Sequence, residues 1–173
     1  MRLLQAMARK RAPMSKSLQV AILRRDGWLC RWCKRPVVFA PALKYLEREL
    51  RMSGETMPIA WYHAHWTRAN APLLDELGAV IDHVDAFSRG GPDSAENLIT
   101  SCNRCNGRKS AATLGNWDQR PRAKPVKGKY GEPRDWDGLS SLFVMLAKRR
   151  STSLSAGERE WLKALAADTS TSP

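Results

Sequence analysis

All four cysteines of the chain fall in two Cys-x-x-Cys pairs, Cys30/Cys33 and Cys102/Cys105. No other feature restricts the fold as strongly. A disulfide framework would scatter its cysteines, whereas two such pairs supply the four thiolates of one closed tetrahedral zinc site. Neither pair sits in a thioredoxin-like βαβ pattern, so structural zinc ranks ahead of a redox role. A shared zinc requires that the chain near residue 30 meet the chain near residue 102. Residues 37–78 then form an insertion between the two knuckles.

The second pair closes a dense stretch of signals. Ala79-Val80-Ile81-Asp82-His83-Val84 is β-branched and apolar enough for a short strand that ends on an acid and a histidine. Ser88-Arg89-Gly90-Gly91-Pro92-Asp93 reads as a turn, and Asn97 to Ser101 as a second strand. Cys102-x-x-Cys105 then leads into a basic helix expected from Asn106 to about Ala112. The polar side chains able to converge are Asp82, His83, Asn97 and Asn106. They suit phosphodiester hydrolysis. A carboxylate and an amide oxygen can hold a hard divalent cation, and a histidine can take a proton from the attacking water.

Asp82-His83, Gly90-Gly91, Asn97-Leu98 and Cys102-x-x-Cys105-Asn106-x-x-Lys109 resemble the signature of the HNH endonucleases, the ββα-metal nucleases. Arg25-Asp26-Gly27-x-x-Cys30-x-x-Cys33 is similar to the segment that leads into the zinc knuckle of many of them. The resemblance implies His83 as general base, Asn97 as the residue that pins the active-site loop, and Asp82 and Asn106 as ligands of the catalytic cation. This makes the chain an H-N-N variant. The cation expected is Mg²⁺ or Mn²⁺, with Ni²⁺ or Zn²⁺ as alternatives, beside one structural Zn²⁺. The implied fold is α+β: a small ββα-metal, treble-clef-like core on the four-cysteine zinc site, with extra helices from the insertion and a C-terminal helical hairpin. Ala86 departs from the pattern, since many relatives carry proline there.

Charge agrees with this substrate class. Lys and Arg number 29 against 17 acids, a net charge of +12, the footprint of a polyanion-binding protein. The expected partner is DNA, double-stranded in preference to single-stranded. Arg89, Arg104, Arg108 and Lys109 flank the loop and the knuckle helix and are the candidate phosphate contacts. No apolar run is long enough for a transmembrane helix, and the basic N-terminus lacks a signal core, so we expect no membrane partner and a cytoplasmic protein.

The remaining chain divides by pattern. Residues 1–14 read as a basic flexible arm, 15–115 as the nuclease domain, 116–135 as a basic Pro/Gly-rich linker, 136–168 as a helical hairpin and 169–173 as a frayed tail. Helices are expected at Ser15–Arg25, Pro41–Met52, Pro72–Leu77 and Asp137–Arg150, and a last one opens at the capping-box pattern Ser155-Ala156-Gly157-Glu158. Glu47 and Arg51 lie one turn apart on a face expected to be solvated. Trp28 and Trp32 flank the first knuckle and are expected to pack over its metal. His63 and His65 would share one face of a strand, and packing or surface roles are their default. The hairpin docks on the core, or on a protein partner or second copy. Two rival readings stand beside the nuclease: a zinc-knuckle module that binds nucleic acid without cutting, and a nuclease subunit of a larger assembly. Cleavage-site specificity and nicking versus double-strand cutting are not encoded in any motif.

Overall fold

The computed structural model describes residues 12–55, 76–110, 133 and 135–167. The expected N-terminal arm, the His63/His65 strand, most of the Pro72–Leu77 helix and most of the basic linker lie outside the described residues. Those described form a mixed fold of five α-helices and a two-stranded antiparallel sheet.

Helix α1, Lys16–Arg25, starts where Ser15 accepts a hydrogen bond from the Leu18 amide at 3.2 Å. It buries Val20, Ile22 and Leu23, and Arg24 and Arg25 in its last turn complement the helix dipole. Gly27 at φ 66° reverses the chain after Asp26. The first knuckle follows, closed by a bridge between Leu29 and Pro36. Helix α2, Ala40–Met52, begins with a proline in its first turn. Glu47, expected on a solvated face, is instead buried, with Arg51 held over it at 2.7 Å.

Strand β1, Ala79–His83, pairs with β2, Leu98–Cys102, in a register that sets Ile81 opposite Thr100 and His83 opposite Leu98. Helix α3 spans Asn103–Lys109, three residues ahead of its expected start. The shift has a local cause: Cys102 Sγ accepts from the Cys105 amide at 3.4 Å and so serves as N-cap. Ser110, at φ 46°, stops the helix.

Helix α4, Ser140–Arg149, and helix α5, Ala156–Ala167, form the C-terminal hairpin. The capping box is present: the Ser155 amide donates to Glu158 Oε2 at 2.8 Å and the Glu158 amide to Ser155 Oγ at 3.3 Å. The hairpin docks on the core, α4 against α2 and α5 against α1. Phe39 is the centre of this junction, with Trp28, Phe143 and Trp161 meeting it edge-on at 5.8, 5.6 and 5.0 Å. Gly138 lies so close to Trp28 that a Cβ would come within 2.4 Å of the indole, so only glycine fits. Arg48–Glu158 at 2.8 Å and Arg150–Glu49 at 3.0 Å tie the outer edges. The apolar faces that suggested a protein partner are thus spent internally.

One buried carboxylate joins the three parts that carry the motif. Asp26, 1% exposed, accepts from the Thr100 amide of β2 at 2.7 Å, from Arg31 of the knuckle at 2.9 Å and from Arg25 at 3.0 and 3.1 Å. Arg25 reaches on to the carbonyls of Ala95 and Leu98 at 2.6 and 2.7 Å. Asp26→Ala leaves the buried Thr100 amide without its acceptor and removes the carboxylate that Arg25 and Arg31 share. We expect it to remove about 3 kcal/mol of unfolding free energy in a urea titration. A loss below about 1 kcal/mol would show that the carboxylate is not the strut.

Candidate nuclease site

Four sulfurs converge first. Cys30, Cys33, Cys102 and Cys105 present Sγ atoms that all lie within 4.8 Å of one another. Cys33 and Cys102 are 3.8 Å apart. A tetrahedron with metal–sulfur bonds of about 2.3 Å has edges of about 3.8 Å, so this donor set fits a metal ion. Hydrogen bonding to Cys102 pushes the Cys30 and Cys105 thiols up and pulls the Cys33 thiol down. Cys102 itself is lowered to about 7, chiefly by its contact with Cys105. A bound cation would displace the thiol protons. Trp28 and Trp32 are both buried, in the same apolar cluster as Cys30, Cys102 and Cys105.

Asp82 and His83 end β1, each nearly closed off, at 7% and 5% exposure. Successive strand residues alternate faces, and these two side chains find different partners. Asp82 faces the knuckle and α3: Trp32 Nε1 donates to its Oδ2 at 2.9 Å, and Lys109 Nζ lies 3.4 Å from Oδ1. His83 faces the β1–β2 loop, where its Nε2 is 2.6 Å from Asp93 Oδ1 and its ring lies against Phe87. No hydrogen bond joins the Asp82 carboxylate to the His83 ring among the described residues.

Asn97 holds that loop by every polar atom of its side chain. Its Oδ1 accepts from the Asp85 amide at 2.8 Å, and its Nδ2 donates to the carbonyls of Asp85 and Pro92 at 3.0 and 2.9 Å. Its own carbonyl accepts from the Val84 amide at 2.8 Å. The loop is drawn so tight that a Cβ on Gly91 would fall 1.8 Å from the Asp85 carbonyl oxygen. That contact explains the second glycine of the Gly-Gly turn. Ala86 sits inside the clamped loop, its carbonyl accepting from the Arg89 amide at 2.9 Å.

On α3, Asn106 is half-buried and its side chain makes no hydrogen bond among the described residues. It lies one turn before Lys109, the residue that reaches Asp82. Arg104 and Arg108, four apart, share an exposed side of the helix, with Arg104 3.7 Å from Glu76. Arg89 is exposed on the loop. Lys109 is a correction. Expected to contact phosphate, it is 1% exposed and donates to the His83 carbonyl at 2.6 Å. The cause is helical phase: Lys109 is one turn past Cys105, and Cys105 is committed to the sulfur cluster.

Residues 72–112 match the family model of the HNH endonucleases. That similarity covers the stretch holding β1, the loop, β2 and α3. No curated protein and no solved structure matches the chain. The HNH assignment points to a nuclease-type action on nucleic acid, and the four cysteines beside it fit a zinc-site variant of the family.

Three residues that hold this candidate site together carried no site role in the sequence reading: Trp32, Asp93 and Asp26. Trp32 had a signal, since it lies between two ligand cysteines and carries a donor that needs a buried partner. Asp93 sat in a turn motif that accounts for an aspartate without any second role.

If Asn97 is the clamp described, Asn97→Ala frees the Asp85 amide and two carbonyls. Its cost should be about 1–3 kcal/mol, and hydrogen exchange at the Asp85 amide should accelerate by roughly tenfold or more. An Asp85 amide as protected as in the parent would contradict the clamp.

Proposed function

We propose that this chain is a metal-dependent HNH endonuclease that hydrolyses DNA phosphodiester bonds. The observation that carries the reading is a histidine fixed at the end of β1, on a loop clamped by Asn97, beside an aspartate held against the knuckle helix. A mere binding module has no need for a clamped histidine at that point.

In this reading the four cysteines hold one structural Zn²⁺, for which their spacing and soft sulfur donors are suited. Asp82 and Asn106 would hold a divalent cation, Mg²⁺ or Mn²⁺, through the oxygen donors that hard ions prefer. When bound there, the ion supplies charge stabilisation at the scissile phosphate and at the leaving 3′ oxygen. His83 takes a proton from the attacking water. The water oxygen bonds to phosphorus and the bond to the 3′ oxygen breaks; the departing oxygen takes a proton from solvent water, leaving a 5′-phosphate and a 3′-hydroxyl. Asn97 keeps the histidine's loop in register. Arg89, Arg104 and Arg108 are the cations available for backbone phosphates, and Lys109 acts inside the protein instead. The net charge of +12 supports duplex DNA as the substrate.

Elemental analysis of the purified chain should return one zinc, released on acidification as the thiolates regain protons. Cys102→Ser should lose that zinc and unfold the motif. Duplex DNA binding should weaken steeply between about 50 and 200 mM salt.

Cleavage is tested on supercoiled, linear and single-stranded DNA with Mg²⁺, Mn²⁺, Ni²⁺ and Zn²⁺. His83→Ala should cut roughly 10²–10⁴-fold more slowly while keeping zinc and DNA affinity. Asp82→Ala should regain part of its activity when the cation is raised; His83→Ala should not. Parent-like cutting by His83→Ala would remove the histidine from the mechanism.

A further inference from the structure

We propose that Asp93 is the positioning residue of His83, fixing the ring's tautomer so that Nδ1 is the nitrogen available to take a proton. The inference rests on the nuclease reading for its catalytic consequence and on geometry alone for the tautomer.

The contact is short, 2.6 Å between His83 Nε2 and Asp93 Oδ1. An ionised carboxylate has no proton to give, so the hydrogen in this bond belongs to Nε2. In a neutral imidazole that leaves the lone pair on Nδ1. Nδ1 has no hydrogen-bond partner among the described residues, and it is not among the side-chain atoms that are sealed from solvent without one; Phe87 lies tilted against the ring at 5.9 Å. The ring cannot simply turn to solvent to choose the other tautomer, because it is 5% exposed.

Asp93 does not reach the histidine by chance of a flexible side chain. The peptide before it is tied down, since the Pro92 carbonyl accepts from Asn97 Nδ2 at 2.9 Å. Gly91, one residue earlier, is packed under the Asp85 carbonyl where no side chain fits. Asn97 therefore acts on His83 through the loop and the Asp93 carboxylate, and the middle asparagine of the motif gains a physical route to the base. A half-exposed surface aspartate making an incidental ion pair would need none of these constraints, and such pairs contribute little.

The test uses the full chain, zinc loaded and labelled with ¹⁵N-histidine. The chain has three histidines, and His83→Gln identifies the His83 resonances by their loss. Long-range ¹H–¹⁵N spectra at mildly alkaline pH should show the parent His83 protonated on Nε2. Asp93→Asn, whose amide can donate to Nε2, should move the population toward the Nδ1–H form. Asp93→Glu should restore Nε2 protonation at least in part. Cleavage should fall roughly 10²-fold or more in Asp93→Asn and recover partly in Asp93→Glu, with zinc content and DNA affinity unchanged. A parent-like tautomer in Asp93→Asn overturns the proposal, and so does parent-like cleavage once the tautomer has moved. If the parent chain cuts no DNA with any cation, the nuclease reading fails, while the spectra still decide what Asp93 does to the ring.

Discussion

Cys102 carries three tasks that would ordinarily fall to three residues, and the fold around the candidate site depends on their coincidence. It is the last residue of β2, the N-cap of α3 and a corner of the sulfur cluster. Strand, helix and metal-sized site are thereby fixed to one Cα. A site of this kind does not exist in an unfolded chain, so whatever free energy a metal contributes on binding becomes folding free energy. The two-stranded sheet has little stability of its own, as isolated hairpins are marginal in water. Its neighbours supply the rest: Asp26 links β2 to α1 and the knuckle, and Phe39 links the knuckle side to the C-terminal hairpin.

The hairpin is better understood as a missing wall than as an accessory. Phe143, Ala147, Ala164 and Leu165 are buried in the same core as Trp28, Ile99, Cys102 and Cys105. Strip them away and Phe39 and Trp28 face water. Large aromatic rings carry much of the buried area in a small core, so the HNH motif borrows its apolar mass from residues far along the chain.

Much of this was legible because the signals were local. The Ser15 cap, the proline opening α2, the capping box at Ser155 and the strand–turn–strand pattern each depend on residues a few positions apart. The pairing of the two knuckles was legible too, because four thiolates and one tetrahedral ion leave a single arrangement. What escaped was decided by contacts across the fold. The start of α3 turned on a cysteine sulfur acting as a cap, a role that cysteine spacing does not announce. Lys109 read as a surface cation until its helical phase was tied to Cys105. Glu47 read as solvated although it lies under its own i+4 partner.

Lys109 shows why the misreading matters physically. Asp82 is only 7% exposed, and a carboxylate at that depth must be matched by charge and by hydrogen bonds. Lys109 provides the charge at 3.4 Å and Trp32 the hydrogen bond at 2.9 Å, one from each knuckle. The same ammonium is bonded to the His83 carbonyl at 2.6 Å, so it holds the end of β1 by its backbone as well. The carboxylate is thus held by residues beside the two cysteine pairs and not by the loop that holds His83. Two neighbouring residues of one strand are oriented by separate devices: Asp82 by the knuckles, His83 by the Asn97 loop. Damage to the sulfur cluster should therefore disturb the carboxylate first, and damage to the loop the histidine, although only one peptide bond separates them.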